Sequence, residues 1–261
     1  MQYLVMFFIA LLITSIGFRK YNWFFGIGYG FTIAAVGLAM LAFFRRYMSN
    51  LILCICLLLF VYGVRLGVYL IIREFQMSSY IEAMKKRAGP NHGIVMKIVT
   101  WLSCSLIYTL QVSPVLFRLS NGGTTDIMTV VGAVIMVCGI VLETVSDLQK
   151  SLAKKKDPER FVSTGLYGIV RCPNYLGEII FWTGVFLSGV TALRGPVQWL
   201  FAVAGYVIIV YTMFSGARRL ELRQNDKYGE NPQYQRYVKR VPILLPFIPL
   251  YSLVPFSFLA G

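Results

Sequence analysis

Two carboxylates four residues apart, Glu143 and Asp147, and an amide and a carboxylate at the same spacing, Asn174 and Glu178, are the groups of this sequence best placed to do chemistry. A spacing of i, i+4 sets both members of a pair on one helix face. Each pair is embedded in an apolar run, as is Arg65. An ionisable group inside a membrane span costs at least about 2.5–3.5 kcal/mol, so it faces a cavity or a partner. A polar stripe of this kind accepts hydrogen bonds from the amide and ribose hydroxyls of a nucleotide cofactor. The basic stretch before Asn174 holds Lys154, Arg160 and Arg171, the point charge and planar forks that phosphate requires. Two other readings account for the same residues. One is a structural salt bridge from Glu143 or Asp147 to Arg65 or to a loop lysine. The other is ordinary membrane topology, which gathers cations in one set of loops, with Pro173 at a first helical turn that tolerates proline. No metal-binding cluster is expected.

The elements that must position these groups are membrane helices. Of the 261 residues 57% are hydrophobic and only 14% charged, well above the apolar share of soluble domains, about 45–50%. Uncharged or nearly uncharged stretches run from 1 to 18, 22 to 44, 51 to 72, 94 to 117, 127 to 148, 175 to 193 and 197 to 217. Each reaches about 18 residues or more, the length that crosses a hydrocarbon core of about 30 Å. The expectation is an all-α integral membrane protein with about seven transmembrane helices in one membrane domain, 1–261. Within it, 1–117 form helices one to four and 127–240 form helices five to seven with their basic loops. Residues 241–261, with Pro242, Pro246, Pro249 and Pro255, form an interfacial cap, since proline removes donors and breaks helices. The first apolar run has no basic residue before it and no small-x-small cleavage pattern, so it reads as a retained helix.

Of the 25 Lys and Arg, 20 fall in the segments after helices one, three, five and seven, while Arg45, Arg46, Arg118 and Arg194 lie on the other side. Cytoplasmic loops retain Lys and Arg, which puts the N-terminus on the lumenal or exterior side and the C-terminus in the cytosol. The net charge of +14 is therefore a topology charge, and nothing in it calls for nucleic acid. Four of the five cysteines fall in apolar runs and Cys172 sits in a loop, so no disulfide framework is expected. The Gly26-x-Gly28-x-Gly30 run lacks a preceding strand and reads as close helix packing, not a dinucleotide loop. His92, in the turn 89–93, reads as a loop residue.

The stretch from Glu143 to Pro249 resembles the C-terminal domain of the steroid 5-alpha-reductase superfamily, in particular its less-characterised branch of bacterial and protist membrane proteins. The residues that carry the likeness are Glu143, Asp147, Gln149 and Lys150, then Gly165-Leu166-Tyr167, the run from Arg171 through Cys172, Pro173, Asn174, Tyr175, Leu176 and Gly177 to Glu178, then Glu221, Tyr234 and Tyr237. The resemblance implies a seven-helix bundle that takes NADPH from the cytosol, with helices five to seven around the cofactor and helices one to four around an apolar substrate. It implies Glu143, Asp147, Lys154, Arg160, Arg171, Asn174, Glu178 and Arg218 as cofactor-binding residues. It also implies Tyr62 and Arg65, on the third helix, as substrate-binding, with Tyr62 and Glu178 catalytic. The activity implied is reduction of a carbon–carbon double bond in a steroid, a sterol or another enone lipid, in the endoplasmic reticulum of a eukaryote or the inner membrane of a bacterium. Where the mammalian steroid enzymes have a second-helix glutamate this chain has no acidic residue before Glu74, which implies another donor or another substrate.

Isoprenylcysteine carboxyl methyltransferases have a similar Gly-x-Tyr and Arg-His-Pro-x-Tyr signature for S-adenosylmethionine, and Cys172 stands in place of its histidine. A methyltransferase of that type and a non-enzymatic membrane scaffold or transporter are the alternative readings.

Overall fold

The computed structural model describes residues 2–76 and 93–259; His92 and the basic residues Lys85, Lys86 and Arg87 lie outside them. Among the described residues the regular structure is helical throughout, with no strand. The α-helices are α1 (Gln2–Thr14), α2 (Ile27–Phe44), α3 (Asn50–Gln76), α4 (Ile94–Ser120), α5 (Ile127–Lys156), α6 (Pro173–Val190), α7 (Gly195–Tyr228) and α8 (Pro232–Arg240). Among the described residues five segments are long and apolar enough to cross a membrane: Tyr21–Phe44, which is α2 with its leading turn, then α3, α4, α5 and α7. The expected number of about seven is thus reduced to five on length and composition. α1 with the turn that follows it is apolar but shorter, Gln2–Phe18, and α6 opens with Asn174 and Glu178 in its first two turns.

The helix faces are inverted relative to a soluble protein. Along α5, Val141, Val145, Leu148 and Leu152 are exposed while Glu143, Ser146 and Asp147 are buried. Water would favour the reverse arrangement, so hydrocarbon is the medium that this outer face meets. The protein is an integral, multi-pass membrane protein in contact with lipid.

By internal contacts the chain falls into two units, 1–133 with 184–206, and 134–183 with 207–261. In the first, α2 and α3 pack backbone to backbone. A Cβ on Gly30 would stand 2.6 Å from the Gly67 nitrogen, and one on Gly37 would stand 3.0 Å from the Phe60 nitrogen. Of the run Gly26-x-Gly28-x-Gly30, it is Gly30 that packs on the α3 backbone, whereas a Cβ on Gly28 would stand 2.7 Å from the Trp23 carbonyl in the turn before α2. Ile33, Val36 and Met40 on α2 and Ile55 and Leu59 on α3 are buried around the α2–α3 contact. Pro114, inside α4, has no N–H to offer the Leu110 carbonyl one turn back. Gly205 covers that carbonyl so closely that any side chain at 205 would collide with it.

At the C-terminal end of α4 the buried Arg118 donates from Nε to the Ser188 carbonyl at 2.6 Å. Its remaining donors reach the Thr124 carbonyl, the Thr191 hydroxyl and, at 2.9 Å, Asp126. Asp126 also accepts from the Thr129 N–H at 2.9 Å, at the start of α5. Burial raises the Asp126 carboxyl, but hydrogen bonds from Thr191, Arg118 and Thr129 outweigh it and hold the group well below the usual carboxylate range. A buried guanidinium is costly unless its donors are satisfied, and four acceptors meet that requirement here.

In the second unit α5 and α6 also meet at glycines. A Cβ on Gly139 would lie 2.5 Å from the Phe181 nitrogen, and one on Gly177 would lie 2.8 Å from the Glu143 nitrogen. After α8 the chain continues to residue 259 in turns and extended backbone with no helix. Proline accounts for part of this, and pairing for the rest. The N–H groups of Arg171 and Cys172 donate to the carbonyls of Pro242 and Ile243, each at 2.9 Å, and the Ile243 N–H donates to Leu250 at 2.9 Å. Ile243, Leu244, Leu253 and Leu259 then bury against Cys172 and Ala217.

Candidate functional site

The α5–α6 seam carries three buried carboxylates in the second unit. Glu143 is 3% exposed, Asp147 5% and Glu178 5%. Because Gly177 offers no side chain, the turn of α6 that bears Glu178 lies directly on the turn of α5 that bears Glu143. The Glu178 carboxylate accepts from the Trp182 indole N–H at 3.3 Å, one turn along the same helix. Asn174 is half-buried, so the i, i+4 pair of α6 runs from a solvent-facing end to a buried one.

The loop between these helices, with Gly165, Leu166 and Tyr167, has a structural account. Gly165 takes φ +64, a left-handed conformation that favours glycine. A Cβ there would stand 2.6 Å from the Gln149 carbonyl oxygen Oε1, the same atom that accepts the Leu166 N–H at 3.0 Å. Tyr167 is buried, and its carbonyl accepts the Tyr237 hydroxyl at 2.8 Å. Gln149, Gly165, Leu166, Tyr167 and Tyr237 thus bind α5, the loop and α8 into one piece. Phe161 stacks on Tyr237 at 5.4 Å between centroids. α8 itself starts on an Asn231 cap, whose Oδ1 accepts from the Gln233 N–H at 2.8 Å, and it is secured by the Tyr234 hydroxyl on Asn225 at 2.8 Å. Burial pushes the Tyr234 phenol up to about 12 and raises Tyr237 as well.

The expected phosphate contacts divide into two groups. Lys154 directs its ammonium at the carbonyls of Pro158 and Arg160, at 2.8 and 2.7 Å, and at the Tyr228 hydroxyl at 3.1 Å. Arg171 is buried, and donates to Glu221 at 3.0 Å and to the Tyr251 carbonyl. Arg218 reaches the carbonyls of Val254 and Leu259. These three cations bind their own chain, two of them its closing segment. Arg160 alone of the four is exposed, and Lys155 and Lys156 beside it are exposed too.

Glu221 is the residue that charge spacing on its own did not single out. It is 4% exposed, accepts Arg171 through Oε1, and accepts the Leu253 N–H through Oε2 at 2.7 Å. Its signal was a lone carboxylate among the arginines 218, 219 and 223 of α7. Cys172 is buried and unpaired, as are all five cysteines in the sense of forming no disulfide. Burial, first among its causes, pushes the Cys172 thiol up to about 12.

In the first unit Tyr62 is wholly buried on α3. Its hydroxyl shares a hydrogen bond of 3.1 Å with that of Tyr29. The Tyr29 ring lies 4.9 Å from that of Tyr108, whose hydroxyl donates to the Phe24 carbonyl at 2.7 Å. Arg65 lies one turn beyond Tyr62 and is partly buried. Glu74, the first acidic residue, ends up paired with Lys20 and accepts from the Trp23 indole at 3.2 Å. Among the described residues no cluster of His, Cys, Asp or Glu is arranged to hold a metal ion.

No curated protein and no solved structure matches the chain. A family model does, over residues 2–241, nearly the full length. With that coverage the chain belongs to the DUF1295 family, described as proteins of unknown function.

Proposed function

We propose that this protein is a membrane-embedded reductase that uses NADPH to saturate a carbon–carbon double bond conjugated to a carbonyl in an apolar lipid of the steroid or sterol kind. The observation that carries the reading is the burial of Glu143, Asp147 and Glu178 on one seam of α5 and α6. Buried carboxylates accept hydrogen bonds from hydroxyl and amide donors, which suits the ribose and carboxamide ends of a nicotinamide nucleotide. The association of the family with steroid 5-alpha-reductase-like proteins supports the same assignment. In this reading α1 and α6 join the five long apolar helices to make seven spans. The N-terminus then faces the lumen or exterior and the C-terminus the cytosol, in the endoplasmic reticulum or a bacterial inner membrane.

The donor set fits the cofactor at one end and narrows at the other. Asp147, Asn174 and Glu178 would hold the nicotinamide and ribose, with Glu143 behind them. For the phosphates, Arg160 with the exposed Lys155 and Lys156 suit better than Lys154, Arg171 and Arg218, whose donors already serve the chain. When bound, NADPH supplies the hydride for the beta carbon of the enone. Tyr62 would donate a hydrogen bond to the carbonyl oxygen as negative charge develops there, with Tyr29 donating to the Tyr62 oxygen, and the alpha carbon would take the balancing proton from water. A contact of that type contributes about 2.7–4 kcal/mol to the transition state.

The test is ligand-dependent thermal stability of the purified protein in detergent. NADPH at about 100 times its dissociation constant would stabilise a binder by about 2.7 kcal/mol. Stabilisation by S-adenosylmethionine instead would establish a methyltransferase, and response to neither would remove the reductase reading. Membranes incubated with NADPH and a panel of enone steroids and sterols should then yield a product heavier by two hydrogens.

A further inference from the structure

The closing segment presents an apolar surface with no role in the proposed chemistry. Phe247 is 99% exposed and holds φ +66, the one positive φ at a non-glycine residue among those described. For a bulky aromatic side chain that conformation is an outlier, kept only where the surroundings impose it. Pro246 and Pro249 bracket the turn. Together with Pro242, Ile248, Tyr251 and Ile169 they line a cleft of about 250 Å³. The exposed faces of Ile169, Phe247, Ile248 and Tyr251 make this rim mainly apolar.

The depth of the segment follows from its ties to α7. Its carbonyls at Val254 and Leu259 sit on Arg218, the first charged residue after the apolar part of that helix. The Phe258 carbonyl accepts from the Tyr211 hydroxyl at 2.8 Å. Tyr211 lies seven residues before Arg218, which is about 10 Å deeper along the helix axis at about 1.5 Å per residue. The end of the segment, Val254 to Leu259, therefore overlaps the level at which α7 meets hydrocarbon, and the turn from Pro246 to Pro249 precedes it in the same short stretch. Just before it, the last turn of α8 carries Lys239 and Arg240, cations suited to headgroup phosphates. Tyrosine, here Tyr251, favours that boundary because its ring is apolar and its hydroxyl is polar.

We propose that the turn from Pro246 to Pro249 inserts into the boundary between headgroups and acyl chains of the bilayer that holds the protein, with Phe247 as its wedge. The occupant of the cleft rim is lipid, and the strained backbone at Phe247 keeps the ring directed into it. This assignment stands whether or not the reductase reading does.

The experiment uses the full chain with Cys54 and Cys138, the two exposed cysteines, replaced by alanine. A nitroxide is attached at Phe247→Cys, at Ile248→Cys and, as a water-phase reference, at Glu159→Cys in an exposed loop. Each protein is reconstituted in vesicles of phosphatidylcholine with phosphatidylglycerol, and spin relaxation by oxygen and by a water-soluble nickel chelate is compared. Oxygen should dominate at 247 and 248 and nickel at 159. Nickel dominance at 247 and 248, matching position 159, would overturn the proposal. Since the Phe247 side chain is almost uncovered by the rest of the protein, unfolding temperatures equal to the parent's are expected for the labelled proteins, and position 248 supplies an independent reading.

Discussion

Arg171 and Glu221 stand 50 residues apart in the chain, yet their side chains meet at 3.0 Å, both almost wholly buried. Glu221 spends its second oxygen on the Leu253 N–H, and Arg171 a further donor on the Tyr251 carbonyl. One ion pair therefore joins the entrance to α6, the basic half of α7, and the closing segment. Breaking such a pair from one side leaves a buried charge uncompensated, at a cost of about 3–5 kcal/mol. Arg171→Met and Glu221→Gln should each lower the unfolding temperature in detergent sharply, and the double variant Arg171→Met, Glu221→Leu should recover most of the loss. Single variants as stable as the parent would show that the pair contributes nothing.

The α5–α6 seam has its own signature. Gly139→Ala and Gly177→Ala place a methyl 2.5 and 2.8 Å from backbone nitrogens, which cannot give way without moving a helix. Overpacking of this kind costs about 1–3 kcal/mol. Gly168→Ala meets only the Ser163 carbonyl at 3.4 Å and should be tolerated. Thermal unfolding separates the two classes, and equal stability of all three variants would dismiss the seam.

Cys172 should behave as an inert thiol. With its value pushed from the ordinary 9.0 up to about 12 by burial, almost none of it is thiolate at pH 8, and thiolate is the reactive form. Maleimide should label it only after denaturation. The sign of the linkage follows: a thiol that binds its proton more tightly when folded contributes stability below pH 9, and loses it as pH rises towards 12. Tyr234 adds a parallel loss from its ordinary 10.0 to about 12. Cys172→Ala should therefore flatten the alkaline fall in unfolding temperature, and rapid labelling of Cys172 itself in the native protein would contradict the burial.

If the reductase proposal holds, two variants separate binding from turnover. Glu178→Ala and Asn174→Ala should weaken NADPH binding with the fold intact, as read by direct titration and by unfolding temperature. Tyr62→Phe keeps the ring buried and removes only the hydroxyl that meets Tyr29 at 3.1 Å. It should lower kcat by about 10²–10³ with NADPH affinity unchanged. Equal turnover in the two proteins would eliminate Tyr62 as the oxyanion donor.

Much of the helical layout was legible in the sequence because hydrocarbon imposes a length and a composition on each span. The stretch 127–148 falls inside α5 and 94–117 inside α4. The run 1–18 instead breaks at Thr14, whose hydroxyl bonds back to the Ala10 carbonyl and across to Ser105, a contact over 91 residues that no local pattern encodes. The stretch 175–193 fell short as a span for a visible reason, since the polar residues that mark it chemically also dilute its apolar character. At the site, i, i+4 spacing located Glu143 with Asp147 and Asn174 with Glu178, because helix geometry alone decides it. The fates of Lys154, Arg171 and Arg218 were hidden. Each guanidinium or ammonium meets carbonyls or a hydroxyl far along the chain, and backbone carbonyls leave no mark in a sequence.

The glycine contact between α5 and α6 sets a limit on how this protein can change. Where two backbones touch, the distance from the Glu143 turn to the Glu178 turn is determined by main-chain atoms, and no choice of rotamer adjusts it. A cofactor received there, as proposed, would be measured against a rigid ruler, so new preferences would have to arise in residues away from the ruler's edge.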